Sequence, residues 1–211
     1  MACGKDLVVA LADRYGIERE LDLPSVTAVR PDSPMDVLPS TMEPIPEVWL
    51  RGSIPGIQPY LQPAAHTLQQ VREDIGAAVQ GLTTDQLWHR PGGSAAIGFH
   101  LHHLPGSLER LLTYSRGESL SPDQMTRLGS ERTVHEDRPS LDALLTRLTG
   151  EIERALDYLR SLPQEALLQR RDVGRKKLPS TTLGLIFHAA EHSSRHAGQV
   201  VTLARIVSPA P

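Results

Sequence analysis

Apolar residues recur at helical spacing in four long segments of this 211-residue chain. The segments run from about 59 or 62 to 81, from 94 to 117, from 140 to 161 and from 181 to 207. In each of them, apolar residues three or four positions apart form one stripe that a neighbouring helix can cover. No stretch shows the alternation of apolar and polar residues that marks a half-buried strand. The pattern therefore predicts an all-α fold, a four-helix bundle with one short and two longer connectors.

Polar residues suited to N-capping precede three of these segments. Ser94 stands before the second segment, Ser140 before the third, and Ser180 or Thr181 before the fourth. The connector 118–139 is long and polar and shows no periodicity, which is typical of a functional or loosely ordered loop.

The first 46 residues differ from the rest of the chain. Six prolines lie between positions 24 and 46, and proline interrupts both helices and central strands. We therefore predict an irregular, proline-rich N-terminal extension over 1–46 and the helical bundle over 47–208.

Composition and charge exclude several classes of protein. The formal net charge of −3 argues against a general nucleic-acid binder. The single cysteine, Cys3, excludes an internal disulfide framework and a cysteine-based zinc site. The apolar run 7–12 is too short for a signal peptide, and no run approaches the ~20 residues of a membrane span. We expect a cytoplasmic protein that engages neither nucleic acid nor membrane.

Three histidines stand four residues apart in the last helical segment: His188, His192 and His196. Residues at this spacing lie on one face of a helix, so two neighbouring imidazoles can bind one metal ion. The first and third are ~12 Å apart along the axis, so at most two serve the same ion. On a helical wheel His196 lies ~80° and His192 ~120° from the centre of the apolar stripe, whereas His188 lies at the polar margin.

A second histidine cluster lies in the second helical segment, at His100, His102 and His103. His100 lies ~70° and His103 ~130° from the apolar centre on one side, and His102 projects to the other. We predict a three-histidine metal site across the two helices, with open coordination positions of the kind that catalytic sites keep. The wheel alone favours His100 as the third ligand, and ordinary hydrogen-bonded histidines are the alternative interpretation.

Two other metal motifs fit this sequence poorly. Residues 188–192 match the zinc-peptidase pattern H-x-x-E-H, but no Asp or Glu follows His192 to supply the further ligand. The wheel also turns His188 and Glu191 towards solvent. A ferritin-like di-iron site needs two Glu-x-x-His pairs, and the sequence has none.

Three motifs give the chain a family resemblance. They are Arg-Pro-Gly-Gly at 90–93, Phe-His-Leu-His-His-Leu at 99–104, and His-Ser-Ser-Arg-His-Ala-Gly-Gln at 192–199. From about Trp49 to Val207 the chain resembles the DinB/YfiT-like superfamily of metal-binding four-helix bundles.

The resemblance implies a set of ligands and a kind of chemistry. It implies that His103, His192 and His196 bind a divalent metal, usually nickel, zinc or iron. For the ligand in the second helix we follow the resemblance and choose His103 over His100, because Pro105 makes an ideal wheel least reliable there. It further implies a homodimer and, for some members, transfer reactions that use a low-molecular-weight thiol such as bacillithiol or mycothiol.

These features lead to one main functional hypothesis and two alternatives. The hypothesis is a metal-dependent thiol S-transferase in which His100 relays a proton. Arg175 and Lys176, in the basic stretch 169–177, would contact the anionic groups of the thiol, although a solvated loop is the alternative interpretation of that stretch. The alternatives are a non-catalytic, stress-associated metal-binding bundle and a hydrolase that uses metal-bound water.

Overall fold

A computed structural model describes residues 45–208, which form seven α-helices and one β-hairpin. The predicted N-terminal extension lies outside the described residues except for Ile45 and Pro46. Among the described residues, no helix combines the length and the apolar character that a membrane span requires. The helices are α1 (Gln62–Ala78), α2 (Thr84–Trp88), α3 (Ile97–Ser115), α4 (Pro122–Ser130), α5 (Val134–Asp137), α6 (Leu141–Ser161) and α7 (Thr182–Val207), and the strands are β1 (Arg170–Val173) and β2 (Leu178–Thr181).

The four long helices α1, α3, α6 and α7 form the bundle that the apolar stripes predict. Helix α7 packs against α1 and α3, and α6 closes the ring by packing against the same two helices. The stripes meet in one continuous core, and its largest fully buried side chains include Leu61, Leu68, Ile75, Leu101, Leu104, Leu108, Leu148, Ile152 and Ile186. The predicted all-α bundle is confirmed.

Two of the predicted N-caps are confirmed and one is wrong. The side chain of Ser140 accepts a hydrogen bond from the backbone N–H of Ala143, and that of Thr181 accepts one from Gly184. Helix α3, however, begins at Ile97 instead of directly after Ser94, and its N-cap Ala96 has no capping side chain. The guanidinium of Arg90 donates to the carbonyl oxygen of Ser94 at 2.9 Å, so Ser94 belongs to the turn before the helix.

The polar connector 118–139 contains helices that its sequence pattern does not predict. Ser121 starts α4 with a capping box, because its side chain and that of Gln124 each satisfy the other's backbone N–H. Buried Gln124 then donates to Thr113 Oγ1 on α3 at 2.8 Å, which fastens α4 to the bundle. Polar contacts hold α4 in place, whereas Val134 of α5 packs into the apolar core.

The basic stretch 169–177 contains strand β1 and the exposed turn of a β-hairpin, and the sequence pattern does not predict the strand pairing. Strand β1 pairs antiparallel with β2, with Val173 opposite Leu178, and the residues between them make the turn. Arg171 Nε donates to the carbonyl oxygen of Ser115 at 2.7 Å, so the hairpin is attached to the end of α3. We refer to residues 170–181 as the basic hairpin.

Candidate metal centre

Helices α3 and α7 lie side by side and bring three imidazoles together. His103 comes from α3, and His192 and His196 come from successive turns of α7. His192 Nε2 lies 3.2 Å from His103 Nε2 and 3.2 Å from His196 Nε2. One ring nitrogen from each residue lies within 4.8 Å of the other two. We refer to these three residues as the histidine cluster.

The other histidines of both motifs lie outside the histidine cluster. His100 is 6% exposed, and its Nδ1 lies 2.9 Å from His196 Nδ1 on the side of that ring facing away from His192. His102 lies 3.4 Å from the hydroxyl of Ser130. His188 is exposed and pairs with Glu191 on the surface, as the helical wheel predicts for both residues.

A carboxylate that the sequence does not single out holds His103 in place. Glu131, just after α4, accepts a hydrogen bond from His103 Nδ1 through its Oε2 at 2.7 Å. Its other oxygen, Oε1, forms an ion pair of 2.8 Å with the guanidinium of Arg110. Gly106 makes room for this pair, since a Cβ there would lie 2.9 Å from Arg110 Nη1 and 3.3 Å from Glu131 Oε1.

The contacts of Glu131 fix the proton on His103. Burial acts to raise the pKa of Glu131, but the hydrogen bond from His103 and the charge of Arg110 outweigh it, so the pKa is lowered. An ionised carboxylate only accepts hydrogen bonds, so His103 carries its proton on Nδ1. In this tautomer the Nε2 of His103 carries the lone pair, and it lies 3.2 Å from His192 Nε2.

The two short contacts at His192 Nε2 cannot both be hydrogen bonds. An imidazole nitrogen has either one proton or one lone pair, so it serves one in-plane partner. His192 Nε2 faces both His103 and His196 at 3.2 Å. One of the two contacts therefore lacks a shared proton in every tautomer. A cation that accepts three lone pairs would satisfy all three nitrogens at once.

A family model matches residues 67–200, which is well over half of the chain and includes every residue of the histidine cluster. The chain belongs to the DinB superfamily. The crystal structure of a conserved protein from Enterococcus faecalis has a similar fold, with a TM-score of 0.55 and 18% sequence identity. The similarity covers 70% of this chain and 96% of that protein. None of the curated proteins is significantly similar to this member of the DinB superfamily.

Burial favours the neutral form of His100, His192 and His196 in this DinB-superfamily chain. It lowers the pKa of His100 to about 4 and that of His196 to about 3, with a smaller contribution from the repulsion that protons on these rings and on the neighbouring His103 would exert on each other. Burial likewise lowers the pKa of His192. Neutral imidazoles have the lone pairs that a metal ion requires, so near pH 7 these rings are ready to act as ligands.

An aromatic wall supports the outer side of His103. The ring of Phe99 stacks on His103 with 7° between the planes and on His135 with 6°, at centroid distances of 5.7 and 6.0 Å. Trp88 packs edge-on against His135. Gly98 is required here, because a Cβ at this position would lie 2.6 Å from the indole ring. The wall and Glu131 together restrict the orientation of the His103 ring.

The predicted anion contacts lie apart from the histidine cluster. Arg175 and Lys177 line a cavity of about 920 Å³ between the basic hairpin and the end of α3, and Lys176 does not border it. Tyr114, which also lines this cavity, follows His103 by eleven residues on α3, or ~16 Å along the axis. Only an extended molecule could therefore reach from the histidine cluster to the hairpin.

Proposed function

We propose that this protein binds one divalent metal ion through the Nε2 atoms of His103, His192 and His196. The observation that carries the proposal is the convergence of these nitrogens, two of them 3.2 Å from the third. Two imidazole ligands at Zn–N distances of ~2.0–2.1 Å and a tetrahedral angle stand ~3.3–3.4 Å apart, so the observed spacing fits. Nickel, zinc and iron all accept imidazole ligands.

We further propose that the metal centre serves a thiol S-transferase. Three protein ligands leave open positions at which a metal ion acts as a Lewis acid and lowers the pKa of a bound thiol or water. His100 is buried behind His196 and bonded to it, so it can orient that ring and relay a proton from it. Arg175 and Lys176 would supply positive charge for the carboxylates of bacillithiol, whereas mycothiol has no such groups. The homodimer that the resemblance implies stays a prediction.

A thiol titration distinguishes the proposed functions. We expect cobalt-substituted protein to develop a thiolate charge-transfer band when bacillithiol or mycothiol is added, and His192→Ala to lose it. Metal binding without any thiol band would favour the non-catalytic, metal-binding alternative. Turnover of an ester, amide or phosphate without a thiol would favour the hydrolase. Unchanged thiol binding after charge reversal at Arg175 and Lys176 would contradict their role.

Replacing Glu131 with glutamine is expected to weaken metal binding by about 10- to 100-fold, because groups that hydrogen-bond a metal ligand typically contribute that much. The amide carries no charge, so it holds the His103 Nδ1–H less strongly and does not pair with Arg110. Competition with a metal-sensitive dye measures the affinity. Glu136→Gln is the matched control, since Glu136 is exposed on α5 and should keep the wild-type affinity. Equal affinities of the Glu131 and Glu136 variants would contradict a positioning role for Glu131.

A further inference from the structure

A groove runs along the outer side of α3, past the histidine cluster. One cavity, of about 720 Å³, is lined by Phe99, Glu131 and His135. The cavity of about 920 Å³ at the basic hairpin is the second, and Met125 and Leu128 of α4 line both. The two cavities therefore adjoin along this face of α4. We call the combined feature the α4 groove.

The floor of the α4 groove includes Phe99, whose ring stacks on His103. Phe99 lines one cavity and Tyr114 the other, and both project from α3. They are fifteen residues apart, or ~22 Å along the helix axis, and His103 lies between them, one turn from Phe99. A ligand extended in the groove would thus have one end near His103 and the other at the hairpin.

The middle of the groove and its hairpin end differ in chemistry. Its middle is apolar, because Met125 is 48% exposed there and Leu128 lies beside it. Its hairpin end is cationic, since Arg175 and Lys177 both line it. Within residues 45–208, neither of these two cations forms an ion pair, although Glu118 and Asp172 also line the cavity. Those two acidic residues pair with Arg116 and Arg170 instead.

The backbone at Lys177 is strained in a way that places its side chain at this end. Its φ is +49°, in the left-handed region that side chains other than glycine, asparagine and aspartate seldom adopt. Such conformations are found preferentially at functional sites. The strained backbone at Lys177 therefore supports a role for its charge.

We propose that the α4 groove binds an amphipathic anion, an apolar chain that carries a carboxylate or a phosphate. The charged end lies between Arg175 and Lys177, and the chain lies on Met125 and Leu128 towards His103. This inference does not rest on the proposed function, because none of these four contacts involves the metal ligands.

Calorimetric titration of the metal-free, full-length protein tests the groove. Octanoate and octyl phosphate are expected to bind, and 1-octanol and acetate to bind at least about tenfold more weakly, since each lacks one of the two recognised features. Stronger binding of octanoate than octyl phosphate would identify a carboxylate ligand, and the reverse order a phosphate. Binding of 1-octanol or acetate as tight as that of octanoate would overturn the proposal.

Variants at the turn locate the binding site. The double variant Arg175→Gln, Lys177→Asn removes both charges, and asparagine tolerates the left-handed backbone. It is expected to weaken octanoate binding about tenfold, whereas Arg205→Gln, an exposed cation on α7 that lines a different cavity, should not. Met125→Gln should weaken it as well, and this exposed residue can change without disturbing the core. Unchanged affinity in the double variant, or an equal loss in Arg205→Gln, would overturn the proposal. Failure of metal binding would instead contradict the proposed function alone.

Discussion

Replacing His196 with alanine is expected to abolish stoichiometric metal binding. The substitution removes one of three converging nitrogens, and two imidazoles on separate helices then remain. Loss of a group that only hydrogen-bonds a ligand already weakens binding by about 10- to 100-fold, so loss of a ligand should weaken it by more than ~100-fold. Elemental analysis after gel filtration should find about one ion per chain in the wild type and almost none in this variant. His103→Ala and His192→Ala should behave in the same way.

His188→Ala is the matched control for this series. His188 lies on the same helix, one turn before His192, but it is exposed and pairs with Glu191 on the surface. It should retain the full metal content. Undiminished metal in the His103, His192 and His196 variants would contradict the site. Equal loss in the His188 variant would show that the effect comes from changes to α7 and not from the ligands.

The bundle was predictable because its helices are specified locally. Each long helix carries its own apolar stripe, and the N-caps Ser140 and Thr181 are visible in sequence. Helix α4 was not predictable in this way, because contacts far apart in sequence hold it. Examples are the bond from Gln124 to Thr113 and the ion pair of Arg127 with Glu109. Periodicity does not detect partners of this kind.

The basic hairpin escaped prediction for a different reason. Its strands have four residues each, and β2 contains a proline. The alternation of apolar and polar side chains is therefore too short to indicate a strand. The pairing is fixed instead by the turn and by the bond from Arg171 to the end of α3. Basic residues were the visible signal, and they indicated charge but not conformation.

The four-residue spacing identified His192 and His196 on α7, but it did not identify their partners His103 and Glu131. The wheel correctly placed His100 deeper than His103, since His100 is buried and His103 is half-buried. The degree of burial did not identify the histidine that contacts the histidines of α7. That contact forms at the edge of the interface between α3 and α7, where side chains are half-buried. The family motif pointed to His103. Glu131 has no sequence signal, since its position depends on how α4 packs against α3.

Lowering the pH from 7 to 4 is expected to reduce the free energy of unfolding of the metal-free protein by on the order of 3 kcal/mol for each of two buried histidines. Burial lowers the pKa of His100 to about 4 and that of His196 to about 3, both below the usual value of 6.5. Between pH 6.5 and about 4 the unfolded chain therefore binds more protons than the folded protein does. The contribution of these two histidines to the free energy of unfolding is fully present above pH 6.5. It is lost as the pH falls through their pKa values in the folded protein.

Urea unfolding at several pH values measures this loss, and His100→Gln identifies part of its origin. Glutamine can keep a hydrogen bond to His196 Nδ1 but does not titrate, so the variant should take up about one proton fewer on unfolding between pH 4 and 6.5. An identical pH dependence in the variant would contradict the lowered pKa of His100.

Adding zinc should raise the stability at pH 7 and make its loss in acid steeper, because protons compete with the metal for the same nitrogens. The His196→Ala variant should show no such gain, since the buried nitrogen that proton and metal share would then be absent.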